Sequence, residues 1–353
     1  MQSTVKKILG TLAFLIGLFF LTNLFYKDRL EQVHVSPAVA TGQQPSNTVE
    51  AGTSTPQTIT STTTSAAAPT RPLLGPTTHD LMSTMHLTFE DNFDSLDFYT
   101  DGKGNIACQE GGVGRWQTVY HFCSRTIFAN KEAQLYTDKI FFDYLARQGS
   151  TTTTPLPFST ENGILSIEAR PIDPIVQKAV GPWAKYTSGL LTTQFSFSQI
   201  YGYFEMRAKL PKGKGVWPAF WLLPTDRTWP PEIDVMEAFG GSNRFHEGGP
   251  TEIHYATHAV KKDESCGAWM DFATDVTDTF HTYGVLWEAT GVTYYFDGTP
   301  YAHCAITGDF HKPFYMLLNV AVGGEDSWPG APDTTTVWPA RMEVDYVRAF
   351  QTN

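Results

Sequence analysis

The segment Pro231-Glu232-Ile233-Asp234-Val235-Met236-Glu237 packs three carboxylates into a short stretch. In an extended strand alternate side chains share a face, so Glu232 and Asp234 point one way while Ile233 and Val235 point into a core. Glu237 stands an odd number of steps from Glu232, and a regular strand would bury it unpaired, which is too costly. One extra residue, a β-bulge near Val235-Met236, restores the parity and returns Glu237 to the face of the other two. Three acids then line one groove. Two carboxyl groups about 5–5.5 Å apart can flank a glycosidic bond, one attacking the anomeric carbon and the other protonating the leaving oxygen. Like charges this close do not all ionise, so one acid keeps its proton and can donate it. A cation site or a chance acidic cluster is the competing reading of the spacing alone.

The neighbouring segments favour sugar chemistry. Along Tyr201–Leu210, Tyr201, Tyr203, Glu205, Arg207 and Lys209 fall on one face of a period-two pattern, and Phe204, Met206, Ala208 and Leu210 on the other. Trp217 and Trp221 follow in GKGVWPAFWLLP, and Trp229 comes just before the acidic strand. Flat rings beside acids suit sugars, whose apolar faces stack while their hydroxyls take hydrogen bonds.

The elements that position these residues are short strands. LSIEAR (165–170), VTYYFDG (292–298) and MEVDYVRAF (342–350) alternate as strands, with Gly, Pro, Asn and Asp between them and no long amphipathic helix. The pattern predicts one all-β domain over residues 86–353, a sandwich or jelly roll. Ahead of it, Lys6-Lys7 precede the uncharged apolar run Ile8–Phe25, whose 18 residues reach the lower limit for spanning a bilayer. Residues 1–27 are expected to form an N-terminal membrane anchor helix, with a signal peptide as the alternative; the nearest A-x-A, Ala38-Val39-Ala40, lies well beyond the run. Residues 28–85, rich in Ser, Thr, Pro and Ala, are expected to be a disordered linker, a coil spanning on the order of 40 Å. The expected location is extracytoplasmic, membrane-anchored, or secreted if the N-terminal segment is cleaved.

Composition narrows the partners. Aromatic residues make up 14% and charged residues only 17%, and the net charge is -11. Residues 1–85 carry five cations and four anions, so the rest holds the whole negative excess, which argues against nucleic-acid binding. A neutral polymer suits that surface. Cys108, Cys123, Cys266 and Cys304 show no zinc spacing; they allow two bridges in three connectivities, or free thiols.

YGYFEMRAKLPKGKGVWPAFWLLP followed by PPEIDVMEAFG resembles glycoside hydrolase family 16, the laminarinase, lichenase and carrageenase group. NKEAQLYTD (130–138), MLLNVAVGG (316–324) and MEVDYVRAF are similar to further family blocks in the same order. The resemblance implies a β-jelly roll with a long concave glycan-binding cleft and a retaining double displacement. It makes Glu232 the nucleophile, Glu237 the general acid/base, and Asp234 the residue that tunes and orients them. It places Glu205, Arg207, Trp217, Trp221, Trp229, Asn319 and Asn130 against sugars, and His254 near the acid/base. Pro231 departs from the usual Gly or Asp, and WPPEIDVME looks most like bacterial endo-1,3-1,4-β-glycanases that trim exopolysaccharide. Family members often hold a structural calcium with an acid of an opening motif and the Asp of the last strand; here Asn92 replaces the opening Glu and Asp345 remains. No cofactor is implied. The expected function is an endo-acting hydrolase of β-1,3- or mixed β-1,3/1,4-glycan, acting as a monomer. A transglycosylase that remodels envelope glycans and a non-catalytic glycan-binding module are the alternatives, and relatives that only bind have typically lost the Glu pair retained here.

Overall fold

The computed structural model describes residues 75–352 apart from 106–107, 242–245 and 247. The expected anchor and most of the expected linker therefore lie outside the described residues. Among the described residues no helix is long and apolar enough to cross a membrane.

Two sheets form the domain. The six-stranded sheet runs β11 (Cys266–Asp271), β10 (Glu252–His258), β9 (Glu232–Glu237), β8 (Val216–Pro224), β15 (Phe314–Val322) and β6 (Leu190–Thr192). The ten-stranded sheet runs β14 (Thr299–Ala305), β13 (Gly291–Phe296), β12 (His281–Glu288), β7 (Gly202–Lys209), β16 (Ala340–Thr352), β4 (Ile164–Pro171), β5 (Tyr186–Ser188) and β2 (Gln134–Tyr136). β1 (Met85–Asp91) adds to β16, and β3 (Phe158–Glu161) adds to β4. Among the strand ladders of the described residues only β2 and β5 pair in parallel. This is the expected all-β sandwich.

The alternation read from the sequence builds the core. Phe204, Met206 and Ala208 of β7 meet Phe220 and Leu222 of β8, Ile233 of β9 and Leu318 and Val320 of β15, all at most 2% exposed. Burying side chains of this size stabilises the fold by roughly 1.5–3 kcal/mol each before entropy is counted. The opposite face of β8 and β15 carries a second cluster, Ala219, Trp221, Leu223, Tyr315 and Leu317, covered by Tyr120 and Tyr136.

The boundary expected at residue 86 falls too late. Helix α1 (Thr78–Met82) starts at Thr77, whose side chain and that of Asp80 form a capping box. Its Leu81 packs on Tyr203, Leu286 and Tyr295, sealing the outer face of the ten-stranded sheet. Five residues carry too little periodicity to stand out from a polar tract. Helices α2 (Lys139–Arg147) and α3 (Pro174–Val180) add a satellite cluster around Leu145 and Val176.

The cysteines pair as Cys108–Cys123 and Cys266–Cys304, with Cα atoms 5.6 and 5.8 Å apart. The second bridge joins β11 to β14, fastening edge strands of the two sheets.

Candidate active site

The acidic strand contains the bulge. On one side Phe220 pairs with Met236 and Trp221 with Asp234, leaving Val235 as the extra residue. On the other, His254 pairs with Glu237 and Ala256 with Asp234, across the same irregularity. Val235 and Met236 both point into the core, at 1% and 0% exposure. Two consecutive inward residues turn the strand by one step, so Glu237 rejoins Glu232 and Asp234 on the outer face. Gly240 and Gly213 then meet backbone to backbone; a Cβ on Gly240 would lie 2.2 Å from Gly213 N.

The ladders define a row across the sheet: Trp269, His254, Glu237, Ala219 and Asn319. The Glu237 carboxylate is held at both oxygens. Trp217 Nε1 donates to Oε1 at 2.9 Å, and His254 Nδ1 lies 3.2 Å from Oε2. Trp217 is held in turn by Trp328, with ring centroids 5.5 Å apart, and Trp328 also packs on Phe239, His254 and Trp269. One row away, Trp221 donates from Nε1 to Asn319 Oδ1 at 2.7 Å. Both residues are buried beneath Tyr120 and Tyr136, so they brace the sheet face.

Glu232 and Asp234 lie side by side, with a carboxylate oxygen of each within 4.8 Å of the other. Trp229 Nε1 donates to Glu232 Oε2 at 2.8 Å, and the indole is otherwise open to solvent, 68% exposed. His258 Nε2 lies 3.0 Å from Asp234 Oδ2 and 3.9 Å from Glu232 Oε1. The pair titrates well above the usual carboxylate range, first because both acids are desolvated, then because carboxylates crowd each other. Asp234 is the deeper member, 3% exposed. Charge costs most at the deepest site, which favours leaving the proton of the pair there.

Of the sequence-derived site residues, Glu232, Asp234, Glu237, Trp217, Trp221, Trp229, His254 and Asn319 come together on this face. Glu205, Arg207 and Asp345 do not. Glu205 and Arg207 lie on the outer face of the other sheet, since Phe204 and Met206 between them point inward. Glu205 accepts from Tyr203 and Tyr346 hydroxyls at 2.7 and 2.8 Å, and Arg207 pairs with Asp345 while lying over the Phe280 ring. Period-two parity groups such residues correctly but does not say which sheet carries them. Tyr201 leaves that face altogether: at φ 62 it turns inward against Trp287.

Asp345 is also corrected as a metal ligand. Its carboxylate is engaged by Arg207, and Asp91 accepts from Trp116 Nε1 at 2.8 Å and from Phe93 N at 2.9 Å. The acids of the expected calcium site are satisfied within the chain, so they do not fit one. The described residues do bring Glu232, Asp234 and His258 into a group with one potential ligand atom each within 4.8 Å.

Asn130 engages a further acid, Glu132. It ends a 3-10 turn (Phe128–Asn130) and donates to Glu132 Oε1 at 3.0 Å. Glu132 is buried, 7% exposed, and also accepts from Gln134 Nε2 at 2.6 Å and Ile127 N at 3.2 Å. Burial pushes its carboxyl up to about 7 despite those donors.

Sequence reasoning missed His258, Trp269, Trp328 and Glu132. The signal for His258 was present, because EIHYATH puts it four residues from His254 and hence on the same strand face. Trp328 is brought in by a loop following β15, which no local pattern reveals.

The model of glycosyl hydrolases family 16 matches residues 144–348. The chain is 37% identical over 273 residues to the endo-1,3-1,4-beta-glycanase EglC of Rhizobium meliloti (strain 1021), covering 76% of this chain and 52% of that protein. It is 35% identical over 279 residues to ExsH of the same organism, described by the same activity, with the same coverage. The chain thus spans about half the length of these curated relatives. The laminarinase catalytic domain of Thermotoga maritima MSB8 superposes with a TM-score of 0.57 at 30% identity, covering 76% of this chain and 99% of that one. The chain belongs to glycoside hydrolase family 16.

Proposed function

We propose that the domain is a retaining endo-β-glycanase that cleaves β-1,3- or mixed β-1,3/1,4-linked polysaccharide by double displacement. The observation that carries this is the bulge at Val235, which sets Glu232, Asp234 and Glu237 on one open sheet face. That face is the floor of the glycan-binding cleft. The endo-1,3-1,4-β-glycanase relatives support the substrate class, and the acidic surface suits a neutral polymer.

Glu232 attacks the anomeric carbon while Glu237 protonates the departing glycosidic oxygen, leaving a glycosyl ester on Glu232. Glu237 then takes a proton from water as the water opens that ester, which restores both acids. Trp217 and His254 hold Glu237 in line for both steps. Asp234, the more deeply buried acid of the pair, holds its proton, which leaves Glu232 the anion available for attack. Trp229, open to solvent beside Glu232, offers its ring to the sugar whose anomeric carbon is attacked. The domain works as a monomer on the extracytoplasmic side, held by residues 1–27 through the tract that follows; the apolar run Ile8–Phe25 supports this.

The test is proton NMR of the first product formed from barley mixed-linkage glucan or laminarin. The β-anomer of the new reducing end should appear first and mutarotate later. The α-anomer appearing first would exclude double displacement. Bond cleavage without a rise in reducing ends would replace hydrolysis by transfer.

A further inference from the structure

The direction of Glu237 depends on the bulge, and something must hold the bulge in one shape. Tyr255 of β10 lies between His254 and Ala256, opposite the irregularity. Tyr294, on the inner face of β13 in the other sheet, crosses the core and donates its hydroxyl to the carbonyl oxygen of Ala256 at 2.6 Å. A strand carbonyl normally lies in the plane of its sheet and points at a neighbouring strand. It meets a hydroxyl from the facing sheet where the strand is tilted, and a bulge tilts it. Tyr294 is fully buried, and its ring packs 4.7 Å from Tyr255, so the hydroxyl has little freedom. The residues on either side of this contact belong to the site: Ala256 pairs with Asp234, and His254 both pairs with Glu237 and touches its carboxylate.

We propose that Tyr294 is a positioning residue for the acid/base. Its hydrogen bond to Ala256 fixes the tilt of β10 across the bulge and, through His254, the aim of Glu237. This rests on the role proposed above for Glu237. Tyr294 touches no substrate; it sits on the far side of the sheet from the acids' open face.

The experiment compares two substrates with the full chain and with Tyr294→Phe, which keeps the ring and removes only the hydroxyl. One substrate is the β-glucan polymer, whose leaving sugar needs a proton. The other is a 2,4-dinitrophenyl β-oligosaccharide, whose leaving phenolate does not. kcat/KM reports the steps up to the first bond cleavage. A misaimed acid should lower kcat/KM on the polymer roughly 10–100-fold, part of the range that general acid catalysis supplies, and leave the dinitrophenyl substrate within about twofold. Both values come from one preparation, so their ratio holds however little of the variant folds. Glu237→Ala serves as the control and should show the same split, larger. Equal losses on both substrates for Glu237→Ala would remove the acid role and this proposal with it. A split for Glu237→Ala with none for Tyr294→Phe, whether the latter loses nothing or loses equally on both, would overturn the positioning role alone.

Discussion

Glu132 should make the stability of this domain depend on pH in a way that one substitution removes. Its carboxyl is raised from 4.5 to about 7, chiefly by burial and against the pull of Gln134, Asn130 and the Ile127 amide. A carboxyl that holds its proton more tightly folded than unfolded stabilises the fold fully below its unfolded pKa. That contribution is lost as pH rises through the folded value, here across the window from 4.5 to about 7. A displacement of this size is worth about 3 kcal/mol, of which roughly 2–3 kcal/mol should disappear between pH 5 and pH 8. Glu132→Gln keeps the shape and most of the hydrogen bonding but cannot ionise. Other titrating groups are common to both proteins, so their effects cancel in the comparison. Melting curves at pH 5 and pH 8 should therefore show the natural protein losing roughly 5–10 °C more than the variant over that interval, at ~2–4 °C per kcal/mol. Parallel losses would refute the reasoning, because they would mean that Glu132 titrates alike folded and unfolded.

Three further outcomes are expected from the site and its frame. Asp234→Asn retains a neutral donor toward Glu232 and should keep kcat within about tenfold, whereas Asp234→Ala should lose about 10–100-fold more, the worth of a hydrogen bond to a charged group; equal losses would contradict a protonated Asp234. Trp217→Phe keeps the packing on Trp328 but removes the Nε1 donor to Glu237, and polymer kcat/KM should fall about 10–100-fold. Cys266→Ser with Cys304→Ser frees two edge strands 38 residues apart in the chain and should cost about 4 kcal/mol, seen as a lower Tm with kcat at 25 °C unchanged.

Much of this site was legible because strand parity is a strong constraint. An odd step from Glu232 to Glu237 demanded either a buried unpaired acid or a bulge, and the bulge lies at Val235. Trp217 and Trp221 were legible by the same rule, since alternation along β8 sends Val216, Phe220 and Leu222 inward. Parity stops at the edge of a strand. It could not say that Glu205 and Arg207 face away on the other sheet, where Tyr346 and Asp345 satisfy them. It could not choose among cysteine pairings, which only the meeting of β11 and β14 decides. Nor could it find α1, whose five residues matter through Leu81 packing on Tyr203, over a hundred positions away.

Azide tests the division of labour between the two glutamates most directly. With Glu232→Ala, azide should occupy the vacated space and displace a dinitrophenyl leaving group once, giving the α-glycosyl azide. With Glu237→Ala, the glycosyl ester on Glu232 should still form from that substrate and azide should open it, giving the β-glycosyl azide. The same anomer from both variants, or full activity on β-glucan in either, would contradict the account.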